Sequence, residues 1–469
     1  MKKDLPKGWS IESIQNSIEF VIGGDWGIDL DKDSEIETEK VYCIRGSEIK
    51  NWDIDKGKTS VLRKIKSSSL EKRKLLEGDI LLEISGGGPD QPVGRTVVID
   101  QVALNLFDCP IICTNFLRLL RFKKINNSFY INYFLKSFYL SGEIVKYQGG
   151  SNNLRNLKYK DFETINIPFP PLPEQERIVA KLDSIFAHLE VAKKGLEKIP
   201  VLLKEFRQAV LTQAVTGKLT EEWREGKELE EIDSMFLEKK RILQIENENV
   251  QLEKLGKRKQ KESPFKLIEK NENGWLVVNV ESACVFVVDC LHNTPQFELT
   301  GFSVIDTTCI SPFNIDWEKA RKVNSEYFKK WTERLIPNYG DVLFSREGTI
   351  GIAVKVPKGA DLCIGQRMML FRLADFVLPE YAEIYFNSYI FRDEYFPYIK
   401  GVAAQHLNIG SIRELPFPIP SFQEQKEIVR RVETLFSKAD AIELQYKKLK
   451  VQINQLPQAV LAKAFRGEV

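Results

Sequence analysis

A chain of 469 residues is too long for one hydrophobic core and reads as two to four folding units. Hydrophobic residues make up 43% and aromatics 10%, enough for a packed interior, which excludes global disorder. The 68 Lys and Arg against 66 Asp and Glu leave a net charge of +2, which excludes a histone-like polycation and says nothing about local patches. No apolar run approaches the roughly 20 residues of a membrane span. The opening MKKDLPKGWS carries three lysines with no apolar stretch behind them, so a secretory signal is not expected. The expectation is a soluble, cytoplasmic protein without a membrane partner. Seven cysteines and three histidines occur with no CxxC pair, so the thiols are expected reduced and buried, with no metal site.

Along the chain, residues 1–170 read as mixed α/β. Strands are predicted over 79–84, 95–99 and 115–121, and a helix over 129–140. Between them lies the polar, glycine-rich loop Ser85-Gly86-Gly87-Gly88-Pro89. A proline-rich run, Pro168-Phe169-Pro170-Pro171-Leu172-Pro173, then forbids helix and sets a sharp start for the next element. Over 171–217, apolar residues recur at alternating spacings of four and three: Ile178, Leu182, Ile185, Leu189, Ala192, Leu196, Ile199, Leu203, Phe206 and Val210. That is a heptad seam, which argues for a long helix of coiled-coil type. Gly217 comes next as a stop signal.

Residues 218–263 are densely charged and end in Lys257-Arg258-Lys259-Gln260-Lys261, with a weak helical stripe at Leu229, Ile232 and Phe236. A solvated helical linker is expected there. Residues 264–420 again read as mixed α/β. Strands are predicted over 341–344, 352–356 and 368–373, a helix over 379–386, and a polar loop at Ser345-Arg346-Glu347-Gly348-Thr349. Residues 421–469 repeat the long helix, with Ile428, Val432, Leu435, Ala439, Ile442, Tyr446, Leu449, Ile453, Leu456 and Val460 on its seam.

Every second-helix seam position lies 250 residues after its counterpart in the first, and Pro-Glu-Gln at 173–175 recurs as Gln-Glu-Gln at 423–425. Gly78-Asp79-Ile80-Leu81 answers Gly340-Asp341-Val342-Leu343 at a different offset, so loops differ in length while a scaffold persists. The chain is a duplicated module of domain plus helix, and variable loops on such a scaffold suit binding. Catalytic signatures are absent: no GxxxxGK[ST] phosphate loop, no Asn/Asp-Pro-Pro-aromatic motif, no GxSxG, HExxH or HxE…CxxC set. The heptads alone would equally serve a structural coiled-coil adaptor that binds only protein.

The run Pro168-Phe169-Pro170-Pro171-Leu172-Pro173-Glu174-Gln175-Glu176-Arg177-Ile178 resembles the entry into the conserved helix of the DNA-specificity subunits of type I restriction–modification systems. Phe206-Arg207-Gln208-Ala209-Val210-Leu211 and Thr216-Gly217-Lys218-Leu219-Thr220 are similar to that family's central conserved region. Asp289-Cys290-Leu291-His292-Asn293-Thr294-Pro295 and Gly365-Gln366-Arg367-Met368 resemble segments of its recognition domains, with Cys290 where many relatives have Gly.

The resemblance implies an α+β chain. Two α/β target-recognition domains of the methyltransferase-specificity fold (1–170 and 264–420) would be separated by two long antiparallel coiled-coil helices (171–217 and 421–469) in a pseudo-twofold repeat. It implies double-stranded DNA as partner, each domain reading half of a bipartite, asymmetric site. The helices would set the spacing and dock two methyltransferase subunits, with two motor–nuclease subunits in the full complex. The chain itself would be non-catalytic and bind no cofactor; S-adenosylmethionine, ATP and Mg2+ would belong to the partners. DNA-contact candidates are Trp26, Arg45, Ser85, Gln91, Arg95, Asn152, Asn153 and Arg155 in the first half. In the second half they are His292, Thr294, Arg346, Gln366, Arg367, Gln405 and His406. These are the residue types that reach base edges and phosphates.

Overall fold

A computed structural model describes residues 6–32, 37–88, 91–151, 154–228, 232–291, 296–402 and 405–469. The chain divides into two compact units: unit 1 comprises Met1–Glu197 with Tyr446–Val469, and unit 2 comprises Lys198–Gln445.

In unit 1 the chain runs through β1 (Ser10–Ser13), β2 (Ile18–Gly23), β3 (Thr38–Ile44), β4 (Val61–Lys66), β5 (Ile80–Glu83), β6 (Ser85–Gly87), β7 (Thr96–Val98), β8 (Ile111–Cys113) and β9 (Leu117–Phe122). Helix α1 (Ser128–Leu140), β10 (Gln148–Ser151), β11 (Leu154–Leu157) and β12 (Asn166–Phe169) come after them. An antiparallel sheet of order β2-β9-β5-β7 carries the core: β5 is buried on both faces, and Ile80 stands opposite Leu120. A second sheet, β4-β3-β8, is mixed, with Cys43 beside Ile112 in a parallel pair.

Helix α2 (Leu172–Val215) begins in unit 1 and ends in unit 2. Unit 2 continues through α3 (Ser234–Lys254), β13 (Leu267–Lys270), β14 (Leu276–Asn279), β15 (Cys284–Asp289), β16 (Phe302–Ile305), the hairpin β17 (Ile310–Ser311) and β18 (Asn314–Ile315), and β19 (Arg321–Val323). Then come β20 (Val342–Ser345), β21 (Ala353–Lys355), β22 (Leu362–Ile364), β23 (Met368–Leu373), α4 (Pro379–Phe386), β24 (Pro416–Ile419) and the start of α5 (Phe422–Ala464), whose end returns to unit 1. The sheets β15-β23-β20-β21 and β19-β16-β22 repeat the order of unit 1 strand for strand, down to the parallel pair, where Val304 stands beside Cys363. The duplication read in the sequence is therefore a duplication of topology.

Repeated side-chain contacts explain the repeated letters. Asp79 at the head of β5 receives both Nε and Nη2 of Arg121, at 2.7 and 2.8 Å. Asp341 receives the same two nitrogens of Arg372, at 3.0 and 2.9 Å. The Tyr130 hydroxyl donates to the Pro168 carbonyl, and Tyr381 to that of Pro418. At the start of each long helix a buried glutamine amide joins helix to domain. Gln175 accepts from the Asn127 N–H (2.8 Å) and donates to the Pro170 carbonyl (2.9 Å). Gln425 accepts from the Leu378 N–H (2.8 Å) and donates to the Phe376 and Pro420 carbonyls.

Each unit holds the beginning of one long helix beside the end of the other. In unit 1, Ile178 and Leu182 of α2 share a core with Leu461 and Ala464 of α5. In unit 2, Val210 and Leu211 share a core with Ile428 and Val432, and Arg207 pairs with Asp440 at 2.6 Å. The predicted seam is covered unevenly. Leu203 and Ile453 are buried, while Ile185, Leu189, Leu196, Ile199, Leu435, Tyr446 and Val460 are half-buried. Ala192, Phe206, Ile442, Leu449 and Leu456 are exposed. A heptad fixes which residues face one way; it does not fix how much covers them.

The charged segment 218–263 departs from the expected solvated linker, because α3 is built into unit 2. Leu237, Ile245 and Leu252 join its core. Between them Arg241, 1% exposed, donates to the carbonyls of Cys284 (2.7 Å) and Ser263 (3.0 Å). Burial lowers the Arg241 pKa. The basic end is tied down as well, with Lys257 Nζ donating to the Thr332 carbonyl. An arginine in the core stripe disguised the helix as polar. Of the stripe predicted instead, Phe236 is exposed, Ile232 is half-buried and Leu229 lies outside the described residues. Among the described residues no helix is long and apolar enough to cross a membrane. No group of three or more His, Cys, Asp or Glu there is arranged to hold a metal. All seven thiols are free and six are buried; burial pushes Cys43 up to about 12.

Two outcomes are expected from this packing. Gln425→Leu strands the Leu378 N–H and two carbonyls, so chemical denaturation should show a loss of about 2–4 kcal/mol. Glu383 on α4 accepts from the Lys355 N–H, and burial raises its pKa from 4.5 to about 7. The folded state then holds a proton that the unfolded chain releases earlier. Stability is full below about 4.5 and falls as the pH rises towards 7. Thermal melts of Glu383→Gln across that window should lose this slope.

Candidate nucleic-acid interface

In each unit three loops meet at the same edge of the main sheet, held together through backbone groups. In unit 1 they are the β5–β6 loop, the two-residue turn Asn115-Phe116 between β8 and β9, and the strand β11. The Ile84 N–H donates to the Phe116 carbonyl and the Leu157 N–H to the Ile84 carbonyl, both at 2.9 Å. Gly86, at φ +103°, makes the bend that a residue with a Cβ would resist. Ser85 Oγ donates to Asn156 Oδ1 at 2.6 Å. The loops border a cleft of about 360 Å³ lined by Ser47, Lys50, Ser85, Gln91, Arg95 and Phe116 among others.

Arg95 is fixed in this cleft. Its Nε and Nη2 meet the carboxylate of buried Glu83 at 2.9 and 2.5 Å, and Nη2 also reaches the Gly46 carbonyl at 3.2 Å. The Glu83 hydrogen bonds raise the Arg95 pKa, so the guanidinium stays charged. The Gln91 amide oxygen lies 3.0 Å from Arg95 Nη2 in the orientation that satisfies both groups.

Unit 2 repeats the construction with the β20–β21 loop, the turn Gln366-Arg367 between β22 and β23, and residues 405–407. The Arg346 N–H donates to the Arg367 carbonyl (3.0 Å) and the Leu407 N–H to the Arg346 carbonyl (2.9 Å). The Gly348 N–H points at the Gln405 carbonyl (3.4 Å), and Glu347 bridges to His406 through the backbone. These bonds give a register: Ile84 corresponds to Arg346, Ser85 to Glu347, Gly86 to Gly348, Phe116 to Arg367, Arg155 to Gln405 and Asn156 to His406.

The predicted residues sort accordingly. Ser85, Gln91, Arg95 and Arg155 come together in unit 1, with Arg155 opposite Gly87. Arg346, Gln366, Arg367, Gln405 and His406 come together in unit 2. Trp26 stands apart from the cleft, packed 4.3 Å from the Arg63 guanidinium. Arg45 is engaged with Glu48 (2.5 Å) and the Thr59 carbonyl, holding the turn whose Gly46 and Ser47 line the cleft. Arg346 is buried in ion pairs with Asp289 (3.1 Å) and Glu347 (2.6 Å) and acts as a strut. Asn152, Asn153, His292 and Thr294 lie outside the described residues. Lys50, Phe116, Asn156 and Glu347 join the clusters although none of them was among the candidates drawn from the sequence. The offset of 250 links Asn156 to His406, and one of 251 links Phe116 to Arg367, so the repeat itself carried that signal.

Fold and loops together define a duplicated binding scaffold with one polar loop cluster per unit. The model for the type I restriction modification DNA specificity domain matches residues 30–201 and again 300–454. The EcoKI specificity subunit of Escherichia coli (strain K12) is 30% identical over 477 aligned residues, covering 99% of this chain and 90% of the relative. The StySPI specificity subunit of Salmonella potsdam is 27% identical with the same coverage. The HsdS subunit from Thermoanaerobacter tengcongensis shares the fold with a TM-score of 0.60 at 16% identity, over 100% of this chain and 99% of that one. A chain from a structure on complex assembly and conformational transition of the type I R-M system gives 0.62 at 16%, over the full length of both. The chain belongs to the type I restriction–modification DNA-specificity family.

The split between strut and exposed residue is measurable. Arg346→Ala takes a buried guanidinium away from Asp289 and Glu347 and should cost unit 2 about 3–5 kcal/mol. Exposed Arg367→Ala should change stability by no more than about 0.5 kcal/mol. Thermal denaturation of the two variants side by side checks this.

Proposed function

We propose that this chain is the DNA-recognition subunit of a type I restriction–modification complex, with each loop cluster reading one half of a bipartite, asymmetric site in double-stranded DNA. The observation that carries the proposal is the loop construction itself. It occurs twice on backbone hydrogen bonds, with different side chains at matching positions, as expected of two heads that read two different half-sites. Arg, Gln, Asn, Ser and His on these loops are donors and acceptors of the kind that base edges require. Exposed seam residues such as Phe206, Ile442 and Leu456 suit the docking of two methyltransferase subunits along the helices, which set the distance between the half-sites. Methyl transfer from S-adenosylmethionine, and ATP- and Mg2+-dependent translocation and cleavage by two motor–nuclease subunits, belong to those partners in this proposal; this chain contributes recognition without catalysis.

Co-expression with the cognate methyltransferase in a methylation-deficient host, followed by long-read sequencing, should reveal methylated adenines at one bipartite motif. The assembled complex should bind that motif with an affinity that falls steeply with salt. A protein-only adaptor would yield neither methylation pattern nor salt-dependent DNA affinity, and that outcome would overturn the proposal.

A further inference from the structure

Within that reading, on which it rests, we infer that the second residue of the β8–β9 turn and of its counterpart between β22 and β23 is a specificity-determining contact in each head: Phe116 opposite a thymine methyl in the half-site of unit 1, and Arg367 opposite a guanine in that of unit 2.

The two turns occupy the same place in the repeated topology, although the second residue is left-handed only in unit 2. Each joins the last strand of the mixed sheet to a central strand of the main sheet. In each, the second turn residue gives its carbonyl to the residue just past the neighbouring strand, Ile84 in one case and Arg346 in the other. The backbone is thus fixed by groups common to every residue, and both side chains are left exposed. Arg367 holds this place at φ +72°, a left-handed conformation that a residue with a Cβ rarely adopts. Strain of this kind persists where the surroundings impose it, and it clusters at sites that bind. The Arg367 Nη1 lies over Gly348, 3.8 Å from where a Cβ would stand, so the guanidinium sits at the mouth of the β20–β21 loop. Phe116, 49% exposed, lines the cleft that also holds Ser85, Gln91 and Arg95.

The two side chains are chemically opposite at one shared position. A guanidinium offers a planar fork that matches O6 and N7 of guanine, the commonest specific contact in the major groove. A phenyl ring has no donor or acceptor. Its complement at a base edge is the C5 methyl of thymine, the one apolar group the major groove displays. Flanking positions differ in the same way, with Ser85 and Asn156 answering Glu347 and His406. A scaffold that keeps its anchoring backbone hydrogen bonds and varies its exposed tips separates folding from recognition, which two heads of different specificity require.

The test uses the full chain assembled with its methyltransferase subunits. Competition binding is measured against duplexes carrying every single base-pair change in both halves of the motif. Arg367→Asn keeps a residue that tolerates the left-handed backbone. It should flatten discrimination at one guanine of one half by about tenfold or more, the range of a single bidentate contact. Phe116→Ala should flatten discrimination at one thymine of the other half by a smaller factor. Profiles unchanged in both variants, flattened at all positions together, or flattened in the same half would overturn the inference. A wild-type complex that discriminates no base pair in either half would instead sink the underlying assignment of DNA recognition.

Discussion

The architecture depends on one buried amide at the start of each long helix. Gln175 and Gln425 each lie just inside a helix whose approach is made of prolines, which cannot donate their own N–H. The glutamine uses both ends of its amide. Its oxygen accepts from the N–H at the entrance to the domain's helical segment, and its nitrogen donates to the carbonyl of the proline just past the last strand. In a dry site each of these bonds replaces a desolvated, unpaired group, so its loss costs more than its formation contributes. The helix start is therefore set relative to its own sheet by side-chain chemistry that occurs twice. This is why the glutamine survives in both copies, although the prolines around it are only partly kept.

Much of this was legible in the letters, for stated reasons. Period and punctuation located the long helices, since prolines and glycines bound an unbroken heptad. The duplication was visible because paired groups such as Asp79 with Arg121 and Asp341 with Arg372 must be kept together. Helix α3 escaped because its core stripe contains Arg241, and a hydropathy pattern counts a buried arginine as surface. The coverage of the seam escaped because periodicity encodes direction, while exposure depends on what packs opposite. In the candidate site, polar loop residues were found by type. Type alone could not separate Arg346, locked by Asp289 and Glu347, from Arg367, exposed at a turn. Phe116 was missed because it fell in the strand predicted over 115–121, where an apolar residue looks like packing until its equivalence to Arg367 is seen.

The contrast between these arginines states a general constraint on such a scaffold. Side chains that hold the loops cannot also be varied to change what the loops read. In unit 2 the structural duty falls on Arg346 and its two carboxylates. In unit 1 the matching position is Ile84, and the ion pair that braces the cleft is Arg95 with Glu83. The two heads thus use different charged braces at different places, while the backbone bonds that set the loop positions stay the same. A near-neutral chain accommodates this readily. Much of its positive charge is neutralised locally, as in Arg121, Arg372 and Arg346, and does not contribute to a long-range field. The net charge of +2 therefore says little about the loop clusters. What matters there is which cations remain uncommitted to the fold, and by that measure exposed Arg367 counts for more than several buried arginines together.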